Sequence, residues 1–349
     1  MAPPSTSRPR RRAGPGGRVA LTPSVTWRDG VHVTGTMLWF DARRAREVCV
    51  VSSIDRVARA GQAGHGQLIA TAPTLAMLGV AGGAHGVGGG VALATPTRRP
   101  FTLGQVQLEL VPSGHTLGAA ALLVDVPAGR VLCAGPIAPR HVGLAEPAEL
   151  RRCDTLVLDV PYGQRHHAFP SAVSASAAVA DWALATTSRA VPVILVSHLG
   201  KGLDAAHLLA SVGLAPRVHP AIATAARRLT AAGLVAPPAP ALRRAPRHGE
   251  VVVWLLADRH RLDRALGGAA TRRLLASGLA ADPDAGPRHG VDHAIAWSSA
   301  ADREQNLALI RASHAGQIYL TGAGAEVIAA QLGPGAVVLA PPQQMELRI

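Results

Sequence analysis

Cysteine is scarce. Cys49, Cys133 and Cys153 are the only three in the chain. They are too few and too scattered for a disulfide framework or a cysteine-built zinc site, which points to a reducing, cytoplasmic setting. Long apolar runs are also missing. The longest, such as Val251–Ala257, fall far short of the roughly 18 residues that span a bilayer, so no membrane partner is expected. Arg8, Arg10, Arg11 and Arg12 have no apolar stretch behind them, which argues against a secretory signal. Aromatic residues make up 3% of the chain, leaving few rings on which bases could stack. Lys201 is the only lysine.

What is present bounds the rest. A chain of 349 residues has room for about two domains, or one large domain with an insertion. A hydrophobic content of 48% is ample for a packed core and excludes wholesale disorder. The net charge of +13 points to a polyanionic partner. Nearly all of it is arginine among abundant Ala, Gly, Pro and Val, and GC-rich codon usage explains that equally well.

Residues 1–17 read as a disordered basic tail. Short strands follow at Val31–Phe40 and Val48–Ser52. A short helix is expected at Ala72–Leu78 and a glycine-rich loop at Gly79–Gly90. Val106–Val111, Ala119–Val126, Arg130–Ala134 and Thr155–Asp159 read as strands, with Ala128-Gly129 as a hairpin turn. Beyond Gly163 helices alternate with strands, as in βα units on a parallel sheet. The helices are Ser171–Arg189, Leu203–Val212 and Ala221–Ala232, and the strands are Val191–Ser197 and Glu250–Leu256. The region Arg259–Leu279 reads as helical. Asp292–Trp297, Gln317–Thr321 and Val337–Ala340 are expected strands, with helices at Ala301–Ser313 and Ala325–Leu332.

Six segments stand out: Gly35-Thr-Met-Leu-Trp-Phe-Asp41, Leu68-Ile-Ala-Thr-Ala-Pro-Thr-Leu75, Pro112-Ser-Gly-His-Thr-Leu-Gly118, Cys153-Asp-Thr-Leu-Val-Leu-Asp-Val-Pro-Tyr-Gly163, Ser197-His-Leu-Gly-Lys201 and Ile318-Tyr-Leu-Thr321. They resemble segments of the metallo-β-lactamase fold, in its β-CASP branch of nucleases. The relatives they suggest are DNA-ligase-associated exonuclease-like and mRNA 3′-end-processing-like proteins. The segments occur in family order over nearly the whole chain. The resemblance implies an α/β fold, an αββα sandwich with a β-CASP-like α/β insertion. It places a first part at 18–165, the insertion at 166–290 and a return at 291–349.

Such proteins hydrolyse phosphodiesters at two zinc or manganese ions held by His and Asp. Laid over their ligand positions, this chain carries Ser53, Asp55, Val57 and Ala58 in the histidine loop. It carries Pro136, Ala300 and Gly322 at three later positions. His115 alone stands where a histidine ligand is expected, and Asp159 occupies the acidic-motif position. Val, Ala and Pro offer no donor atom, so no dinuclear site, no cofactor and no catalytic residue are expected. The function implied is that of a catalytically inactive homologue, binding an active paralogue, another protein or nucleic acid. The alternative is an active metallo-hydrolase or exonuclease with a site remodelled around His115, Asp55 and Asp159.

Three leftovers remain. His198, Gly200 and Lys201 could hold an anion at a helix start, although a plain strand-to-helix turn is the simpler reading. The histidines His65, His85, His166 and His167 read as exposed loop residues, and His115 as a turn-stabilising one. Eight arginines stand against three acids between Arg243 and Arg273. Through Arg243, Arg244 and Arg247 in particular, they could track a nucleic-acid backbone.

Overall fold

Side chains alternate across a strand, so an unbroken apolar strand has two faces to bury. That requirement organises the whole molecule. The computed structural model describes residues 22–57, 64–80, 90–139 and 143–339. The first sheet is β1 (Val25–Trp27), β2 (Val31–Val33), β3 (Leu38–Phe40), β4 (Val48–Val50), β5 (Gln67–Ala70) and β6 (Val91–Ala94), in that spatial order. Its first pairings are antiparallel, and β3 to β6 run parallel. Helices α1 (Ile54–Val57) and α2 (Ala72–Leu78) follow β4 and β5.

The second sheet starts as an antiparallel meander of β7 (Phe101–Leu103), β8 (Val106–Pro112), β9 (Ala120–Val126) and β10 (Gly129–Ala134). Then β11 (Thr155–Asp159) adds in parallel. Helix α3 (Ala172–Thr187) leads into a third, all-parallel sheet. This contains β12 (Val191–Val196), β13 (Ala215–Val218), β14 (Glu250–Leu255), β15 (Thr271–Ala276) and β16 (His293–Ile295), in the order β13-β14-β12-β15-β16. Helices α4 (Leu199–Ser211), α5 (Pro220–Ala231), α6 (Leu262–Leu266) and α7 (Ala285–His289) connect its strands. The chain then returns through α8 (Arg303–Ser313), β17 (Gln317–Thr321), α9 (Ala325–Leu332) and β18 (Ala336–Val338), and β17 pairs with β11.

Packing follows from alternation. Val31, Phe40, Val50 and Ile69 of the first sheet meet Leu108, Leu122, Val131 and Val157 of the second. The outer face of the second sheet, with Leu123, Leu132, Leu156 and Leu320, is covered by Leu307 and Ile310 of α8 and Ile328 of α9. The outer face of the first, with Cys49, Leu68 and Ala70, packs on α2, α4 and α5. Those helices in turn cover Ile194, Val196 and Val253 of the third sheet. The result is a mixed α/β molecule in alternating helix and sheet layers.

Two expectations are corrected. The strand expected at Val31–Phe40 is two strands, because Gly35 takes a left-handed φ of +79° and turns the chain between them. The helix expected over Arg259–Leu279 ends at Leu266, where Gly267 and Gly268 both have positive φ. The remainder becomes β15, whose Leu274, Leu275 and Ala276 are fully buried beside β12. Burial outweighs the polar look of Thr271-Arg-Arg. The expected tail at 1–17, most of the Gly79–Gly90 loop, Ala58 and His85 lie outside the described residues.

Candidate metal centre

Ligands in sheets with parallel strands gather beyond the carboxyl ends of those strands. Two such ends, after β4 and β12, meet the turn that follows the antiparallel strand β8 here. Asp55 lies on α1, just after β4. His115 lies in the turn after β8. His198 follows β12 and caps α4. Asp55 Oδ2 stands 3.4 Å from His115 Nε2 and 3.0 Å from His198 Nδ1. All three side chains are largely enclosed, at 9%, 6% and 20% exposure. Together with Tyr162, Ser197 and Ser299 they line a pocket of about 200 Å³.

The hydrogen bonds around the cluster fix where its protons are. His115 Nδ1 lies 2.7 Å from the Ser299 carbonyl oxygen. A carbonyl only accepts, so Nδ1 carries the proton and, in the neutral ring, Nε2 presents a lone pair to Asp55. Burial pushes the His115 pKa below its ordinary value, which favours the neutral ring. His198 Nδ1 accepts the backbone N–H of Lys201 at 3.2 Å, and its Nε2 lies 2.9 Å from Ser299 Oγ. Its Nδ1 is therefore also a bare acceptor. Asp55 Oδ1 accepts the Gly200 N–H at 3.2 Å. Asp55 Oδ2 is buried and makes no hydrogen bond of good geometry.

Asp55 Oδ2 and His115 Nε2 thus face each other with no ring proton between them, and His198 Nδ1 beside them is unprotonated but already takes the Lys201 N–H. Such an arrangement calls for a cation. Donors about 2.0–2.2 Å from one tetrahedral ion stand about 3.3–3.6 Å apart, close to the separations seen here. Each imidazole is also oriented through its other nitrogen by Ser299, as metal-bound histidines are oriented by backbone or side-chain partners. The donor set of two imidazoles and one carboxylate, with an open pocket in front, fits a single zinc-type ion.

A second grouping of similar composition does not fit. His166 Nε2 and His167 Nε2 both lie 3.0 Å from Asp282 Oδ1. His167 Nδ1 accepts the Gln164 N–H at 3.1 Å. Its Nε2 therefore carries the proton and donates to Asp282, so this contact is already satisfied.

Several sequence expectations change. The leading expectation held no catalytic or metal residue and the alternative a site around His115, Asp55 and Asp159; the fold brings Asp55 and His115 together with His198, because strands far apart in sequence end at one place. His65 and His167 are buried rather than exposed loop residues. Asp159 does not join the cluster. It lines a neighbouring pocket that shares Asp55 and Ser197 with the first.

The anion site expected at His198, Gly200 and Lys201 is already filled, since the Asp55 carboxylate takes the Gly200 N–H. A Cβ at Gly200 would come within 2.4 Å of Thr116, so only glycine lets the helix start approach this closely. Lys201 is fully buried, with Nζ 3.4 Å from the Trp297 ring centre, and reaches no external anion. Ser299 and Trp297 were missed. Neither carries a motif, and Ser299 is 184 residues from the histidine it orients.

The other family ligand positions are placed as follows. Pro136 and Ala300 line the same small pocket as Asp55 and His115. Ser53 is buried, and Val57 ends α1. Gly322 has φ +92°, and a Cβ there would lie 2.3 Å from Asp159 Oδ1 and 2.7 Å from the Val160 carbonyl. A side chain at that position is excluded by this backbone. Gly322→Ala is expected to lower stability by about 1–3 kcal/mol, read as a fall in Tm by circular dichroism. An unchanged Tm would contradict the strained turn.

Arg243, Arg244 and Arg247 are exposed. Arg244 and Arg217 both bind Glu250, which also accepts the Arg247 N–H. Burial opposes ionisation of Glu250, but these partners bring its pKa down to about 2. Part of the basic charge is therefore spent within the fold. Among the described residues no helix is long and apolar enough to cross a membrane.

No protein-family model matches the chain, and no curated protein matches it. It is similar to a solved protein of unknown function from Enterococcus faecalis V583. The identity is 10%, the match covers 84% of this chain and 79% of that one, and the TM-score is 0.51. A likeness at that identity shows the fold alone, a mixed α/β architecture.

Proposed function

We propose that the chain is a metallo-β-lactamase-like protein of the β-CASP type whose two-ion centre has been rebuilt for one ion, and that it acts as a metal-dependent hydrolase. The observation that carries this is the meeting of three unprotonated acceptors, Asp55 Oδ2, His115 Nε2 and His198 Nδ1, the last holding a Lys201 N–H that an ion would displace. Two further features support it. The first two sheets stack with helices outside each, and a parallel sheet is inserted between β11 and β17. Four positions that the sequence resemblance assigns as ligands, at Asp55, His115, Pro136 and Ala300, line one pocket.

A bound zinc-type ion would polarise a substrate oxygen and bring the pKa of a bound water to about 7. The chain does the rest. Ser299 holds both imidazoles through its carbonyl and its hydroxyl. The Gly200 N–H fixes Asp55. Tyr162 lines the pocket, and burial raises its pKa, so it stays protonated there. Pro136 and Ala300 bring no donor, which limits the site to one ion.

One observation favours a second reading, a catalytically inactive homologue that binds a protein or nucleic-acid partner. Val57, Pro136, Ala300 and Gly322 cannot ligate, and the family's two-ion chemistry needs such positions filled. Metal analysis separates the two. Zinc titrated into chelator-treated protein is expected to bind at one ion per chain and to be released by a chelator. Binding far below one ion per chain would leave the inactive homologue standing.

A further inference from the structure

We infer that the pocket beside the ion cluster takes a small, uncharged, apolar carboxylic ester, and not a nucleic-acid strand. This deepens the single-ion hydrolase proposed above and rests on it for the chemical step, though not for binding.

The pocket has a volume of about 420 Å³ and shares Asp55 and Ser197 with the smaller one. Sites for small organic ligands are typically about 300–1,000 Å³, mostly apolar, with a few polar groups. The smaller pocket, at about 200 Å³, has room for a reacting group only. The larger one opens between β1 to β3 of the first sheet and β10, β11 and β17 of the second. Trp27, Val31 and Phe40 form its apolar wall. Asp41 and Asp159 add carboxylates beside Asp55. Both Asp41 oxygens are engaged by Ser52, through its N–H at 2.8 Å and its hydroxyl at 2.7 Å.

Among the described lining residues Arg43 is the one cation, and its guanidinium carbon lies 6.0 Å from the Trp27 ring centre. A phosphodiester strand needs a succession of cations along its backbone. Among the described residues it would meet one guanidinium and three carboxylates, of which Asp41 and Asp159 already have partners. An uncharged ester meets no such penalty, and its apolar body gains about 25 cal/mol for each Å² removed from water. In the reaction the acyl C–O bond breaks. The oxygen of a water molecule bonds to the acyl carbon, and one of its protons goes to the departing alkoxide. The products are a carboxylic acid and an alcohol, with no change in oxidation state.

The test uses 1-naphthyl butyrate, its alcohol product 1-naphthol and a single-stranded decathymidylate. Calorimetry on zinc-free protein is expected to show saturable binding of 1-naphthol. Trp27→Ala should weaken that binding at least tenfold, while Trp27→Phe should largely preserve it. Zinc stoichiometry should be unchanged in both variants. Zinc-loaded protein should hydrolyse the ester, and decathymidylate should not displace 1-naphthol. If 1-naphthol fails to bind, or if decathymidylate binds and displaces it, the inference is overturned even where zinc binds normally. If 1-naphthol binds as described and zinc does not, the pocket assignment stands and the single-ion hydrolase falls.

Discussion

His198→Ala is expected to weaken zinc binding by more than 100-fold while leaving the fold intact. Partners that merely orient a ligand are worth 10–100-fold in affinity, and His198 supplies a donor atom itself. His115→Ala and Asp55→Asn should act alike. Ser299→Ala should do less, roughly tenfold, because it removes only the hydroxyl that orients His198 and leaves the carbonyl on His115. This graded series separates ligand from support. Equal effects from all four variants, with loss of helical signal, would mean simple unfolding.

Acid should reproduce the effect. Zinc competes with protons for imidazole lone pairs, so affinity falls as pH drops through the histidine range near about 6.5. The pKa of His115 is depressed by burial, so its share of the binding persists to lower pH than an ordinary histidine would allow. The same shift acts on folding. The unfolded chain holds the His115 proton more tightly than the folded one. Its contribution to stability is therefore present above about pH 6.5 and is lost as pH falls towards the folded value. Chelator titrations at pH 5.5 and pH 7.5 check the first statement. Zinc affinity equal at the two values would contradict it.

Lys201→Met is expected to destabilise the protein by about 1–3 kcal/mol, the cost of leaving a buried acidic group short of compensation. Lys201 is fully buried, and its Nζ has no hydrogen-bond partner. It rests on the Trp297 ring, three residues before buried Asp204. Burial pulls the amine down and pushes the Asp204 carboxyl up, while the Lys201 charge opposes that rise. Remove the lysine and Asp204 keeps the Leu144 N–H on one oxygen only.

A carboxyl whose folded pKa is raised binds its proton more tightly folded than unfolded. The loss should therefore shrink between pH 7 and pH 5. Lys201→Met with Asp204→Asn should recover most of it, since the amide keeps the Leu144 contact without a charge. Urea unfolding of the two variants at both pH values reads this. A Lys201→Met loss that does not change with pH would show that packing on Trp297, and not the Asp204 charge, is responsible.

Much of the sheet framework was legible in the sequence, because strands such as Thr155–Asp159 and Val106–Pro112 carry apolar, branched residues bounded by turns. β15 was not, because Thr271, Arg272 and Arg273 read as polar. Its register comes from β12 and its arginines from partners in other segments, Asp292 and Asp263. Sequence likewise singled out Asp55, His115 and His198, but for different purposes. Loss of neighbouring donors was read as loss of any site. Asp55 meets the helix start at Gly200 across 145 residues, and no spacing rule reveals a contact of that range. Ser299, which orients both rings, carries no motif.

The single-ion reading depends on His115 Nε2 and His198 Nδ1 both being unprotonated beside Asp55. Imidazole ¹⁵N shifts in the zinc-free protein test this directly at neutral pH. The account predicts His115 protonated on Nδ1 and bare on Nε2, and His198 bare on Nδ1, with both bare nitrogens shifting when zinc is added. A proton found on His198 Nδ1 or His115 Nε2, shared with Asp55 and unmoved by zinc, would contradict it.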